Sequence, residues 1–169
     1  TIQEMVDLVY DSFYLAEKYR TPVILLTDGM LGQMAEPVEF KERSFPELPE
    51  FDWSLTGAKG RAPRRLSSIH LKDGELEEHN EHLFEKFQVI RDNEVRCEVQ
   101  DIDDADLIIT SFGSCARIVK TAIKEAKKEG LKVGLIRPIT LWPFPRQILK
   151  EATEKCNLVL DIEMNKGQL

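Results

Sequence analysis

The stretch from Asp106 to Pro145 constrains the fold more strongly than any other part of the chain. Leu107–Ile109 is a continuous apolar run, which is typical of a strand buried on both faces of a parallel sheet. A Phe-Gly-Ser turn follows, and its serine, Ser114, is predicted to cap the next helix. Apolar residues then recur at helical spacing until Gly130, and Val133–Ile136 forms a second apolar run. The pattern predicts a β-α-β unit, and we expect its crossover to be right-handed.

The same periodicities predict the other elements of an α/β protein with a mostly parallel sheet. Helices are expected over Gln3–Tyr19, over Glu77–Cys97 and after Pro145, and further strands over Val23–Leu26, Ser67–Leu71 and Leu158–Ile162.

The chain changes character between Pro37 and Leu66, where prolines and charges interrupt the pattern and no period is visible. A structureless stretch of this length is improbable inside one compact domain, which favours an interdomain connection lying on protein surface. The helix and strand before it look like the end of an α/β domain. Because the sequence starts at Thr1 without Met and stops soon after a strand, we expect a piece of a longer polypeptide.

The bulk composition excludes several function classes. The net charge of −7 argues against nucleic acid, which selects a basic surface. No apolar run reaches the roughly 18 residues that a membrane span needs, and the cytoplasm is the predicted location. Cys97, Cys115 and Cys156 are widely spaced, so we expect no zinc site or iron–sulfur cluster held by this chain alone.

Two candidate sites lie at the turn of the β-α-β unit. Gly113 and Ser114 precede a helix, and free N–H groups at a helix N-terminus bind anions such as cofactor phosphates. The turn has one glycine and lacks a full dinucleotide motif, so a purely connecting turn is the alternative. Cys115 lies where a helix dipole lowers the pKa of a thiol, although a small buried residue is the commoner role.

Other candidates lie outside the turn. His79 and His82 lie among glutamates and offer two metal ligands one helical turn apart, against the alternative of a solvated acidic helix. Four cations cluster in an otherwise acidic chain and suggest a contact with a diphosphate or an acidic partner: Lys59, Arg61, Arg64 and Arg65.

Asp28 and Glu163 each follow a predicted strand, and ligands favour the carboxyl ends of parallel strands. The pattern does not place the two acids in one cleft, and acids at strand ends also cap turns. The residues by themselves therefore leave two hypotheses, a piece of a larger cofactor enzyme and a non-enzymatic α/β binding or scaffolding module.

Four stretches carry a resemblance to a known family: PVILLTDGMLGQMAEPVEF at 22–40, WSLTGAKGR at 53–61, RPITLWPFP at 137–145 and EMNKGQ at 163–168. Together they resemble the alpha subunit of 2-oxoacid:ferredoxin oxidoreductases, most of all the 2-oxoisovalerate (3-methyl-2-oxobutanoate) enzyme. The 2-oxoglutarate and pyruvate enzymes are the alternatives within the family.

The resemblance implies a domain organisation. Residues 1–40 correspond to the end of a pyrimidine-type thiamine diphosphate-binding domain, and residues 41–79 to an interdomain connection. Residues 80–169 correspond to an incomplete domain similar to the transketolase C-terminal domain.

The resemblance also implies the chemistry. The family uses thiamine diphosphate with Mg, coenzyme A and iron–sulfur clusters to form acyl-CoA from a 2-oxoacid and to reduce ferredoxin. The expected partners are a beta subunit and gamma or delta subunits. The family's catalytic groups lie earlier in the pyrimidine domain, so no catalytic residue is assigned here and the chain is expected to be inactive alone. The basic cluster at 59–65 then becomes a candidate subunit interface.

Overall fold

The computed structural model describes residues 1–168 and contains four helices and four strands within that range. In chain order the elements are α1 (Ile2–Tyr19), α2 (Glu75–Asn93), β1 (Cys97–Gln100), β2 (Leu107–Thr110), α3 (Gly113–Lys128), β3 (Val133–Pro138), α4 (Arg146–Lys155) and β4 (Val159–Asp161). No helix in the described range combines the length and the hydropathy needed to cross a membrane.

The four strands form one mixed sheet in the order β1-β3-β2-β4. Strand β2 pairs in parallel with β3 and β4, whereas β1 pairs antiparallel with β3. The α/β class with a mostly parallel sheet is thereby confirmed.

Strand β1 was not predicted, because the helix was expected to continue to Cys97. In the structure α2 ends at Asn93, and Cys97–Gln100 pairs with Leu135–Pro138 of β3. The amides of Ile139 and Thr140 extend the pairing by donating to the Arg96 carbonyl. These partners are about forty residues away along the chain, so local periodicity contains no sign of them.

Two apolar layers cover the sheet because neighbouring residues of a strand point to opposite faces. Ile109 packs with Val119 and Ile123 of α3 on one face. Ile108 packs with Ala152 of α4 and with Cys156 on the other face. Burial on both faces explains why β2 lacks any polar alternation.

The strands predicted at Val23–Leu26 and Ser67–Leu71 are wrong for this structure, since neither stretch forms a strand. Their apolar side chains face solvent: Ile24 is 79% exposed, Leu26 71% and Leu71 87%. A strand needs a neighbour to satisfy its backbone groups, and the described residues provide none for these stretches.

The prediction that Ser114 caps α3 is also wrong. Phe112 is the N-cap residue with an extended backbone, and the helix begins at Gly113. Ser114 therefore lies in the first turn of the helix. The carboxylates that accept hydrogen bonds at this helix end belong to Asp28 and Glu163, which lie in two other segments of the chain.

Candidate functional site

The candidate site lies at the carboxyl ends of β2 and β4. The chain runs from β2 through α3 to β3 on one side, and then returns through α4 to β4 on the other side of β2. Helices α3 and α4 cover opposite faces of the sheet. Such a reversal opens a crevice between the two strand ends, where α/β proteins commonly bind ligands.

Glu163 closes one side of the turn after β2. Its Oε1 accepts a hydrogen bond of 2.7 Å from the backbone N–H of Phe112, and the Ser111 hydroxyl lies 3.3 Å from the same oxygen. That hydroxyl also donates to the Ile162 carbonyl at 2.8 Å. Burial raises the pKa of Glu163 above its ordinary value, because a carboxylate loses hydration there.

Asp28 closes the other side of the same turn. Its Oδ1 accepts a 2.8 Å hydrogen bond from the Leu31 amide. Its Oδ2 would lie 3.9 Å from a Cβ placed on Gly113, so the carboxylate stands against the N-terminus of α3. Hydrogen bonding with the Ser114 hydroxyl, and then with the Leu31 amide, lowers the pKa of Asp28.

The two acids that the sequence placed at separate strand ends thus meet around one turn. Gly113 at its centre has a φ of +57°, a backbone conformation that favours glycine. The negative charge of Asp28 also suits the positive end of the α3 dipole. An external anion at Gly113 and Ser114 must compete with this carboxylate, and anion binding there stays a prediction.

A pocket of about 300 Å³ opens beside this turn. Its walls are mainly apolar and include Met30, Leu31, Met34 and Ile118. Arg117, the arginine in its lining, pairs with Glu36 at 2.5 Å, and the Thr1 ammonium lies 3.8 Å from Glu4. The pocket therefore presents apolar surface rather than free positive charge.

All three histidines of the chain line a second pocket. His70 and His79 stack with ring centroids 4.4 Å apart, and His82 completes the set with Glu75 and Glu78. Between residues 1 and 168, no three His, Cys, Asp or Glu side chains are arranged so that they hold one metal ion. The structure therefore does not bring His79 and His82 together with further side chains as a ligand set.

The basic cluster divides into two kinds of residue. Arg64 donates hydrogen bonds to the carbonyls of Phe51 and Ser54 at 3.2 and 2.6 Å. It therefore stabilises the segment without helix or strand that precedes α2. Lys59 and Arg65 are exposed, and Arg61 is half-buried. The cluster remains a predicted subunit interface, with Arg65 as its most accessible arginine.

The three cysteines lie on separate elements and are free thiols. Cys115 is buried in the first turn of α3, as expected for a small packing residue. Burial raises the pKa of the Cys97 thiol, which opposes formation of a thiolate.

Arg137 is an important residue that the site predictions missed. It lies in β3 with a side chain only 14% exposed, and its guanidinium pairs with Glu98 of β1 and with Glu4 of α1. The available signal was a lone arginine at the end of an apolar strand, since a buried charge needs partners. Local sequence patterns do not indicate which acids those partners are.

Comparison with known proteins defines the class. Residues 105–169 match the family described as "Pyruvate:ferredoxin oxidoreductase core domain II". The 2-oxoglutarate:ferredoxin oxidoreductase from Magnetococcus marinus, solved with 2-oxoglutarate, coenzyme A and succinyl-CoA bound, shares the fold with a TM-score of 0.66. That likeness covers 90% of this chain and 32% of the other, at 24% identity.

Similar proteins with known names include subunits of enzymes for different 2-oxoacids. The chain is 43% identical over its whole length to ketoisovalerate oxidoreductase subunit VorB of Methanothermobacter marburgensis, covering 48% of that protein. It is 33% identical to 2-oxoglutarate synthase subunit KorA of the same organism, covering 52% of it. This chain therefore spans about half the length of the curated relatives it matches.

Residues 105–169 match this family, and the chain as a whole is similar to subunits of 2-oxoacid:ferredoxin oxidoreductases. The resemblance inferred from four short stretches is thereby confirmed.

Proposed function

We propose that this chain is part of the alpha subunit of an oxidoreductase that converts 2-oxoisovalerate and coenzyme A to acyl-CoA and CO₂ while reducing ferredoxin. The observation that carries the proposal is the 43% identity over the whole chain to a ketoisovalerate subunit, against 33% to a 2-oxoglutarate subunit. The proposed partners are a beta subunit, gamma or delta subunits, and ferredoxin reached through the complex. The proposed location is the cytoplasm.

The proposed domain organisation assigns residues 1–40 to the end of a pyrimidine-type domain, 41–79 to a connection and 80–169 to a second domain. Helix α1 and Val23–Leu26 support the first assignment, because they leave apolar side chains exposed that a complete domain buries. The two apolar layers around β2 and β3 support the last assignment.

The proposed cofactors are thiamine diphosphate with Mg, coenzyme A and iron–sulfur clusters, all bound in the full complex. Thiamine diphosphate, when bound, supplies the electron sink that decarboxylation of a 2-oxoacid requires. The separated cysteines of this chain do not form a cluster ligand set within the described range. We assign no catalytic residue to the chain and expect no turnover from it alone, even with thiamine diphosphate added.

The substrate assignment is tested with the complex purified from its native host. Rates with 2-oxoisovalerate, 2-oxoglutarate and pyruvate are measured with coenzyme A and with ferredoxin or a viologen as acceptor. The highest kcat/KM is expected for 2-oxoisovalerate. A preference for another 2-oxoacid overturns the substrate, and the absence of 2-oxoacid oxidation favours the non-enzymatic module.

The interface assigned to Lys59, Arg61, Arg64 and Arg65 is tested by charge reversal in the complex. Arg65→Glu is expected to weaken subunit assembly, because the exposed cation loses an acidic partner surface. Lys150→Glu reverses another exposed cation, on α4, and is the matched control. Assembly that is unchanged by Arg65→Glu, measured by size-exclusion chromatography, contradicts the interface.

The anion site at Gly113 and Ser114 is tested by removing the internal competitor. In Asp28→Asn, phosphate is expected to shift the amide resonances of Gly113 and Ser114 at lower concentration than in the unchanged chain. The reason is that phosphate no longer meets a carboxylate at the N-terminus of α3. If phosphate moves these resonances in neither protein, the turn is only a connection.

A further inference from the structure

Helix α1 has two faces of opposite character. Glu4, Asp7, Asp11 and Lys18 follow one another at spacings of three, four and seven residues, which places them along one side of the helix. Apolar residues occupy the opposite side of the helix: Ile2, Val6, Val9, Phe13 and Ala16.

The charged face contacts the part of the chain that runs from α2 to β4, which we call the α/β unit. These contacts join residues that are far apart in sequence. Arg137 of β3 binds Glu4 through two hydrogen bonds of 2.7 and 3.2 Å. The Arg96 guanidinium binds Asp11 at 2.6 Å. Arginine bound to a carboxylate through two parallel hydrogen bonds also fixes the orientation of the two elements.

The end of α1 is held in the same way. Glu94 accepts hydrogen bonds from Lys18 Nζ at 2.7 Å and from the Tyr19 hydroxyl at 2.6 Å. Hydrogen bonding with Glu94 raises the pKa of Lys18. Beyond the helix, Glu36 and Arg117 add a further ion pair between the two parts of the chain.

Apolar contact contributes little to this docking. No residue of α1 is buried, and Phe13 on the apolar face is 73% exposed. The sheet, in contrast, encloses fully buried side chains such as Ile108 and Leu135 on its two faces. The forces that hold α1 and the forces that hold the sheet therefore differ in kind.

We propose that the charged face of α1 is an electrostatic joint, which releases α1 from the α/β unit as ionic strength rises while the sheet stays folded. The Lys18 and Arg96 side chains are about a third exposed, at 36% and 34%, so salt screens their ion pairs, whereas the Arg137 pair is screened less because that side chain is 14% exposed. Apolar burial is not weakened by screening. Together with the proposed function, this joint lies between the first and second domains of the alpha subunit, and their relative placement then depends on charge.

The first test is amide hydrogen exchange of the 169-residue chain, followed by mass spectrometry, at about 0.05 M and about 1 M NaCl, where the screening length falls from more than 10 Å to about 3 Å. Exchange in α1 is expected to accelerate about tenfold or more relative to exchange in β2 and β3, which serve as the internal reference. Equal protection of α1 at both salt concentrations overturns the joint. A parallel loss in α1 and the sheet also overturns it, since the two parts then open as one unit.

Charge reversal provides the second test. Lys18→Glu is expected to accelerate exchange in α1 at low salt. Adding Glu94→Lys to it is expected to restore part of the protection, because the ion pair is recreated while the Tyr19 hydroxyl loses its carboxylate acceptor. The matched control is Lys128→Glu, which breaks a pair with Glu125 inside α3 and leaves α1 untouched. If the double variant does not recover, Lys18→Glu acts on the helix itself and the joint is rejected.

These readouts need neither partner subunits nor substrate. Failure of the joint therefore leaves the proposed substrate and the proposed assembly unaffected. Conversely, a complex that prefers another 2-oxoacid does not change the exchange result.

Discussion

Residues 1–74 and residues 97–162 both contain apolar runs, but the structure uses them differently. All buried residues of the described range lie from Ile90 onward. The first part is held by polar contacts, such as Arg43 with Asp7 and Asp11, and by partly exposed stacking of Tyr14 on Phe45. The second part encloses two apolar layers. An apolar run therefore becomes a strand only where other strands and helices of the same chain cover it.

The largest expected effect comes from truncating a leucine in each part. Leu135 lies in β3, the strand between β1 and β2, and its side chain is fully buried. Leu135→Ala is therefore expected to lower the free energy of unfolding by about 2–5 kcal/mol. Leu26→Ala removes the same atoms from a mainly exposed side chain and should change that free energy by less than about 0.5 kcal/mol. Urea denaturation followed by circular dichroism measures both. Similar losses in the two variants would show that residues 1–74 possess a core of their own.

Glycines in the two parts give the next largest effect. A Cβ at Gly134 of β3 would lie 2.8 Å from the Asp101 carbonyl oxygen and 3.1 Å from the Ile102 Cα, both of them backbone atoms. Gly134→Ala is therefore expected to cost about 1–3 kcal/mol of stability by overpacking. Gly29→Ala meets no atom within 4 Å and is the matched control. Thermal unfolding compares the two, and an unchanged midpoint for Gly134→Ala contradicts the close packing of β3 on the β1–β2 loop.

The smallest expected effect is on the pH dependence of stability at the turn where the two parts meet. The contributions of its two acids, Asp28 and Glu163, change with pH in opposite directions. The lowered pKa of Asp28 means that its contribution to stability is present above its ordinary value, about 3.9, and is lost as pH falls further. The raised pKa of Glu163 means that its contribution is present below about 4.3 and is lost as pH rises through the higher folded value.

Urea midpoints between about pH 2 and pH 7 for the unchanged chain, Asp28→Asn and Glu163→Gln separate these contributions. The deficit of Asp28→Asn should grow as pH rises toward 4, whereas any deficit of Glu163→Gln should shrink as pH rises beyond 4.3. Both changes should stay below about 1 kcal/mol, since both side chains are partly exposed. If the stability deficits of the two variants change with pH in the same direction, the two acids do not lie in the environments described.

Much of the second part was predictable because its elements are defined by local patterns. The apolar runs at β2 and β3 correspond to strands buried on both faces, and the helix between them, α3, has its apolar residues at helical spacing. The predictions failed where pairing decides the outcome. Val23–Leu26 has a strand-like composition but no neighbour in the described range, while β1 has a weak pattern and gains its neighbour from β3.

The candidate site was predictable residue by residue but not as an arrangement. Gly113, Ser114, Asp28 and Glu163 were all identified from their positions at the ends of predicted elements. Their convergence was not, because Asp28 and Glu163 are separated by most of the chain and the periodicity that locates each acid contains no distance between them. The same holds for Arg137, whose partners Glu4 and Glu98 lie on two different elements.

The sequence by itself determined the α/β class, the β-α-β unit and the family resemblance, because periodicity and short ordered stretches are local properties of the chain. Only the tertiary structure decided that β1 runs antiparallel, that two acids enclose the turn after β2, and that α1 presents its charged face to the sheet. These features depend on which distant groups satisfy a backbone edge, a helix end or a partly buried charge. Such pairings arise only when the chain is folded.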